Sequence, residues 1–354
     1  MGILFLLTMS ASVLHASPAS PERWYFTHFT TDDGLAFNSV TSITQDSNGF
    51  VWFATEDGLS RYDGRDFKNF TKDDLGIDTD FITALCADGG GNLWVGSDNG
   101  ASRYDFVSDS FVPLDAVSDK GTEVRGKVTH ICIDDGGLVW MSVNGLGLFS
   151  YDPVTERLRN FFCENGRTTL PFNIRTFVID GNGDFWLSLY FADIWYSDSS
   201  LQKAERVKIV GWKENDDIVS MDRNGQGRII LSSWKNGLGE FDCKKRSFRS
   251  YLNYGPGQRP KGMYYDRNNR RIWSATTRGL CLYDLATGET ARLSSNVQDG
   301  FSLSGDNITA VFTDATGGLW ASSLSSGVNY ASEYHKNFRK YYMADGENLA
   351  GCFI

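Results

Sequence analysis

Histidine is scarce in this chain: four residues in 354, at His15, His28, His130 and His335. None stands at ligand spacing from another, so imidazole-based zinc sites are excluded. Six cysteines are present, Cys86, Cys132, Cys163, Cys243, Cys281 and Cys352, and none forms a C-x-x-C pair. That removes zinc-finger and thioredoxin readings. There is no G-x-S-x-G elbow and no P-loop, so serine hydrolases and P-loop nucleotide enzymes lose their usual marks. Basic charge is short as well. The 34 Lys and Arg face 44 Asp and Glu, for a net charge of −10, which argues against nucleic-acid binding. Long apolar runs are missing too. The longest, Ile3–Leu14, is about half of what a spanning helix needs. It precedes the small residues and prolines of HASPASPE and reads as an export signal over residues 1–19, cleaved near Ala16 or Ala19. No Lys or Arg precedes Arg23, so this signal would have no basic start.

Aromatics (14%) and 37 glycines are plentiful, and they recur in order. The unit QDSNGFVWFATEDGLSRYDG, Gln45–Gly64, returns along the chain with anchors at Trp52, Trp94, Trp140, Trp186, Ile230, Trp273 and Trp320, spaced 42 to 47 residues apart. That period, with strand-like units, marks propeller blades of about four strands. Each unit opens with an apolar alternation such as Val40, Ile43. An Asp-Asn-Gly turn follows, then the tryptophan strand, a polar tip, a third strand, and a fourth marked in blade 1 by Phe67 and Phe70. A blade cannot bury both of its faces, so the tryptophans are expected in the core between blades. The fold class is all-β, a seven-bladed β-propeller over residues 20–342. Two stretches compete to close the ring: Arg23–Phe29 and Asn337–Tyr342. Cys86 and Cys132 fall where blade 1 has Thr44, and are expected as small buried residues.

Two turns, beginning at Asp180 and Asp222, resemble the start of a calcium loop. The twelfth position holds Phe191 in one and Ser233 in the other, where a helical calcium loop needs Glu. No metal and no cofactor is expected. The turn D-x-x-G-x-x-W is one residue longer than the Asp box of sialidase-type propellers, and no pair of carboxylates is set apart for acid and base work. No catalytic residue is expected.

The unit D-x-x-G-x-x-W-x-x-T-x-x-G-L-x-R-Y-D, preceded by Phe29–Val40 (FTTDDGLAFNSV), resembles the two-component regulator propeller repeat. The resemblance is strongest in blade 1 and weakest in blades 4 and 5. It implies the periplasmic sensor region of a hybrid two-component regulator, reading oligosaccharides released from a polysaccharide. It also implies partners beyond this chain: a second propeller, kinase modules, and a homodimeric full receptor in the inner membrane. Residues 343–354 resemble the opening of a further repeat.

In a propeller, the tips after the second strand and the loops before the first share one face, and such loops carry function. In blades 4 and 5 the tips hold Tyr190-Phe191 and Trp234-Lys235 where small polar residues are the rule. The loops add Arg125, Lys127, Arg175, Trp212, Lys213 and Lys261, and the blade 6 tip adds Arg278. Sugar rings stack on aromatics, and cations favour an acidic glycan. The candidate ligand residues are Tyr190, Phe191, Trp234, Lys235, Arg175, Trp212, Lys213 and Arg278. The same face could instead dock the second propeller, or be solvated loop.

Overall fold

The computed structural model describes residues 24–161, 171–225 and 227–333. The export signal and residues 343–354 lie outside them, as do Cys163, Cys352, His335 and the stretch Asn337–Tyr342. The described chain forms seven four-stranded antiparallel sheets. Blade 1 shows the pattern, with an inner strand Val40–Gln45, then Val51–Thr55, Gly58–Tyr62 and an outer strand Phe67–Phe70. The other inner strands are Ile82–Ala87, Val128–Ile133, Ile174–Ile179, Ile218–Arg223, Pro260–Asp266 and Ile308–Thr313. Helix is limited to single turns at Thr31–Asp33 and Lys72–Leu75. Among the described residues, no helix is long and apolar enough to cross a membrane.

The repeated glycine of the third strand has a steric cause. Gly58 has φ +97°, and a Cβ there would stand 2.8 Å from the Phe70 carbonyl of its own outer strand. A side chain would be strained and would also push that strand away.

Every repeat anchor is buried. Trp52 is fully enclosed and packs on Tyr104 and Phe111 of blade 2 as well as Phe70 of its own blade. Trp140 meets Phe185 of blade 4, and Trp186 meets Phe241 of blade 5. The core is therefore seven interfaces rather than one centre, as in a ring of repeats that touch only their neighbours.

The N-terminal stretch closes the ring. Thr27–Phe29 pairs antiparallel with Val328–Ala331 as the fourth strand of blade 7. Phe29 then packs against Trp320 of blade 7 and against Tyr62 and Phe67 of blade 1. Trp24 sits edge-on to Trp273 of blade 6.

The inner strands surround a central channel of about 1060 Å³. Cys86 and Cys132 are unpaired thiols that line it. They are half-buried rather than enclosed: each packs against the inter-blade cluster of its paired tryptophan and also borders the channel. Burial pushes the Cys86 thiol up to about 12, so it is not an active nucleophile at neutral pH.

Candidate functional site

The tips and pre-strand loops do share a face. Tip amides bond to loop carbonyls, as Asn144 N–H does to Lys127 O (2.8 Å) and Trp234 N–H to Asp217 O (3.2 Å). At the centre of this upper face the channel opens into a recess of about 200 Å³. Lys127, Arg175 and Lys261 line it together with Tyr190 and His130, and among the described residues no carboxylate does.

The candidate residues fall into four groups. At the mouth, the Arg175 guanidinium lies 5.3 Å from the centre of the Tyr190 ring. One of its nitrogens holds Asp217 at 2.5 Å, and that carboxylate is almost fully buried. Asp217 also accepts from the Phe191 amide at 3.3 Å, which ties the mouth to the tip beside it. There, Phe191 and Trp234 meet edge to face at 5.8 Å, and Arg259 lies 4.6 Å from the Trp234 ring centre. Tyr190 and Phe191 remain 40% and 63% exposed, and Phe191 holds φ +54°. A bulky residue in the left-handed region is held there by its surroundings. These two groups form one continuous patch of rings and cations.

The third group is a loop. Lys213 and Lys235 are exposed. The Lys235 ammonium donates to the carbonyls of Glu214 (3.1 Å) and Asn215 (2.8 Å), and that of Lys213 to the Lys235 carbonyl (3.3 Å). They hold the loop to the tip. Trp212 departs from expectation because it turns inward. Its ring packs against Phe248 between blades 4 and 5, and its N–H donates to Asp193 at 2.8 Å. Burial opposes charge on Asp193, yet the bonds from Trp212 and Arg206 hold its carboxyl below the usual range. With one ring face packed and the N–H used, Trp212 builds the blade interface and is not presented to a ligand. The fourth group is Arg278 alone, exposed beside Gly257 on the blade 6 loop.

Asp216, Asp217 and Arg259 were not among the expected residues. Asp216 is fully buried and accepts from the amides of Lys235 (2.8 Å) and Asn236 (3.0 Å), fixing the Trp234 tip. The available signal was columnar. Asp217 and Arg259 occupy the place of Lys127, immediately before an inner strand. Two acids directly ahead of the buried Ile218 cannot both be solvated.

At its other end the channel is lined by Asp134, Asp135, Asp180 and Asp222. Arg223 of blade 5 reaches Asp135 of blade 3 through two bonds of 3.1 and 2.9 Å, and Arg267 pairs with Asp222 at 2.5 Å. The channel is thus basic at its upper mouth and acidic at its lower. Among the described residues, no group of three or more His, Cys, Asp or Glu is placed to hold a metal ion.

Comparison with known proteins agrees with this architecture. Residues 34–57 and 76–99 match the two-component regulator propeller model. A 50-residue stretch is 44% identical to histidine kinase P4 of Formosa agariphila, covering 14% of this chain and 4% of that protein. The extracellular domain of the putative hybrid two-component system BT3049 of B. thetaiotaomicron superposes with a TM-score of 0.74 at 21% identity, over 88% of this chain and 42% of that one. Virginiamycin B lyase of Staphylococcus aureus superposes at 0.67 with 11% identity, over 88% and 99%. At these identities the two structures speak for the fold alone, and the chain spans less than half the length of the BT3049 extracellular domain. The chain is a seven-bladed propeller, and its residues 34–57 and 76–99 match the two-component regulator propeller repeat.

Proposed function

We propose that this propeller is an extracytoplasmic, periplasmic ligand-sensing module of a hybrid two-component regulator. It would recognise an oligosaccharide on its upper face and perform no catalysis. One observation carries the reading: the exposed rings Tyr190 and Phe191, with Trp234, adjoin a mouth lined by Lys127, Arg175 and Lys261. Rings of this kind offer stacking surface to sugar C–H faces, and Arg and Lys supply donors to hydroxyls and acid groups. The similarity to sensor domains of two-component systems supports the same reading. A second propeller, kinase modules and a dimeric membrane receptor would complete the device. A ligand shifts such a receptor only by binding one arrangement better than the other.

The exposed Phe191, held at positive φ, favours a second reading. In it, the upper face docks another domain and takes no small ligand. A lyase or glycosidase reading draws only on the shared fold of virginiamycin B lyase.

Titration calorimetry of the chain against neutral and acidic oligosaccharides tests the proposal. The double substitution Tyr190→Ala, Trp234→Ala is expected to weaken binding at least tenfold while leaving the melting temperature within a few degrees. Unchanged affinity would move the site elsewhere. Silence from the folded protein toward every sugar would favour the docking reading.

A further inference from the structure

The second residue of the inner strand has a repeated task. Thr41, Thr83, Thr129 and Thr309 each donate their hydroxyl to the next blade, to the carbonyls of Ile82 (2.7 Å), Val128 (2.6 Å), Ile174 (2.8 Å) and Val40 (2.6 Å) respectively. These bonds form a girdle around the upper end of the channel. Blades 4, 5 and 6 break it, with Arg175, Val219 and Lys261 in the threonine column. Ser188 stands in for the missing hydroxyl of blade 4, donating to Ile218 O at 2.9 Å.

Two of the three departures are thus cations, and both line the same recess. Among the described residues the recess holds no carboxylate, although the chain carries a net charge of −10. Lys127 at the rim is loosely matched by Asp98, 3.6 Å away. Arg175 commits one nitrogen to Asp217 and keeps its other donors. Lys261 is exposed and has no ion-pair partner among the described residues. About 200 Å³ is room for roughly seven waters, which suits one charged group and its immediate ring. At the lower end Arg223 and Arg267 are paired with Asp135 and Asp222, and Asp134 and Asp180 have no paired cation among the described residues, so the upper mouth is the end that favours an anion.

We propose that the upper mouth is an anion site in which Arg175 and Lys261, aided by Lys127, hold one carboxylate or sulfate group. The site rests on the oligosaccharide reading for the source of that group: a uronic acid or a sulfate ester of the bound glycan.

The test is calorimetry of the full chain with trigalacturonate, a sulfated galactotriose and unmodified galactotriose, with inorganic sulfate as competitor. Lys261→Thr is the informative variant, because it gives blade 6 the residue that four other blades use. At least one anionic sugar is expected to bind tenfold or more tighter than galactotriose. That preference should shrink with added salt and fall about tenfold in Lys261→Thr, with the melting temperature unchanged or raised. Lys261→Gln reads the same charge if Thr disturbs the strand. Whichever anionic sugar responds names the source. Wild-type affinity for the anionic sugars in both variants would overturn the anion site, as would equal binding of charged and neutral sugars. Binding of the anionic sugars that is no tighter than that of galactotriose and ignores Lys261 would sink this site while leaving the oligosaccharide reading intact. Loss through Lys261 with no effect of Tyr190 and Trp234 would do the reverse.

Discussion

Asp46 and Trp52 stand six residues apart, and the fold uses that spacing. One carboxylate oxygen of Asp46 accepts the turn amides of Asn48 (2.9 Å) and Phe50 (3.1 Å), and the other accepts the Trp52 indole N–H. The same aspartate-to-indole bond recurs at Asp134–Trp140 (2.8 Å), Asp180–Trp186 (3.0 Å) and Asp314–Trp320 (2.8 Å). The aspartate of the repeat thus aims a core ring as well as closing a turn. Reading the turn and the strand separately finds each residue but not the bond between them. Among the described residues, blades 2 and 6 keep the tryptophan without this bond, and blade 2 shows the cost. There Asn92 takes the second oxygen of Asp88 at 2.7 Å, and the buried Trp94 N–H has no partner. A buried donor left without a partner costs about 1–3 kcal/mol. Blade 3 has Leu138 in the place of Asn92. Asn92→Leu is therefore expected to free Asp88 for Trp94 and raise stability by about 1 kcal/mol, read as a higher urea midpoint. A lower midpoint would show that Asn92 holds the turn better than the indole would. His130 gives a second test. It lines the channel against Phe177, 5.1 Å between ring centres, and burial pushes its pKa down from 6.5 to about 4. The folded protein holds it neutral while the unfolded chain takes up the proton. Its contribution to stability is complete above about pH 6.5 and is lost as the pH falls from there toward 4, by about 1–3 kcal/mol. The stability difference between wild type and His130→Gln should follow that pH course. A flat difference would mean that channel water solvates the ring.

At the scale of the element, the period-2 strands and their seven anchors were legible because each blade obeys one rule, and burial of apolar side chains enforces it. What stayed hidden lies where blades depart from one another. Trp212 looked like a ring offered to solvent, yet Phe248 and Asp193 claim it from the neighbouring sheet and strand. That pairing depends on how blade 5 leans on blade 4, which no single repeat encodes. The threonine girdle is another such feature. It becomes visible only when the inner strands are set side by side and their carbonyls are known to face the preceding blade. Thr41→Val keeps the shape and removes the donor to Ile82 O and Ala54 O. The expected cost is about 1 kcal/mol, again as a lower urea midpoint. No change would make the girdle a by-product of packing.

For the whole molecule, the question is how a ring of seven similar interfaces is held shut. Six sheets are made of consecutive strands. The seventh borrows Thr27–Phe29 from the far end of the chain and so joins residues about 300 apart in sequence. Only three residues pair in this strand, so backbone bonds alone make a weak clasp. The aromatic side chains strengthen it, since Phe29 touches Trp320 of blade 7 and both Tyr62 and Phe67 of blade 1. Trp24 extends the same hold to Trp273 of blade 6. Removing the Phe29 ring would leave a void shared by two blades and loosen the clasp, so that the edge of Val328–Ala331 is bared whenever Thr27–Phe29 detaches. Phe29→Ala is therefore expected to cost about 3–5 kcal/mol. It should also act locally, because solenoid-like and ring repeats open at their weakest interface first. Hydrogen exchange should quicken in Val328–Ala331 and Gly58–Tyr62 while the inner strands of blades 3 and 4 keep their protection. Uniform loss across all seven blades would instead show that the ring unfolds as a single unit and that the N-terminal clasp is no weaker than any other interface.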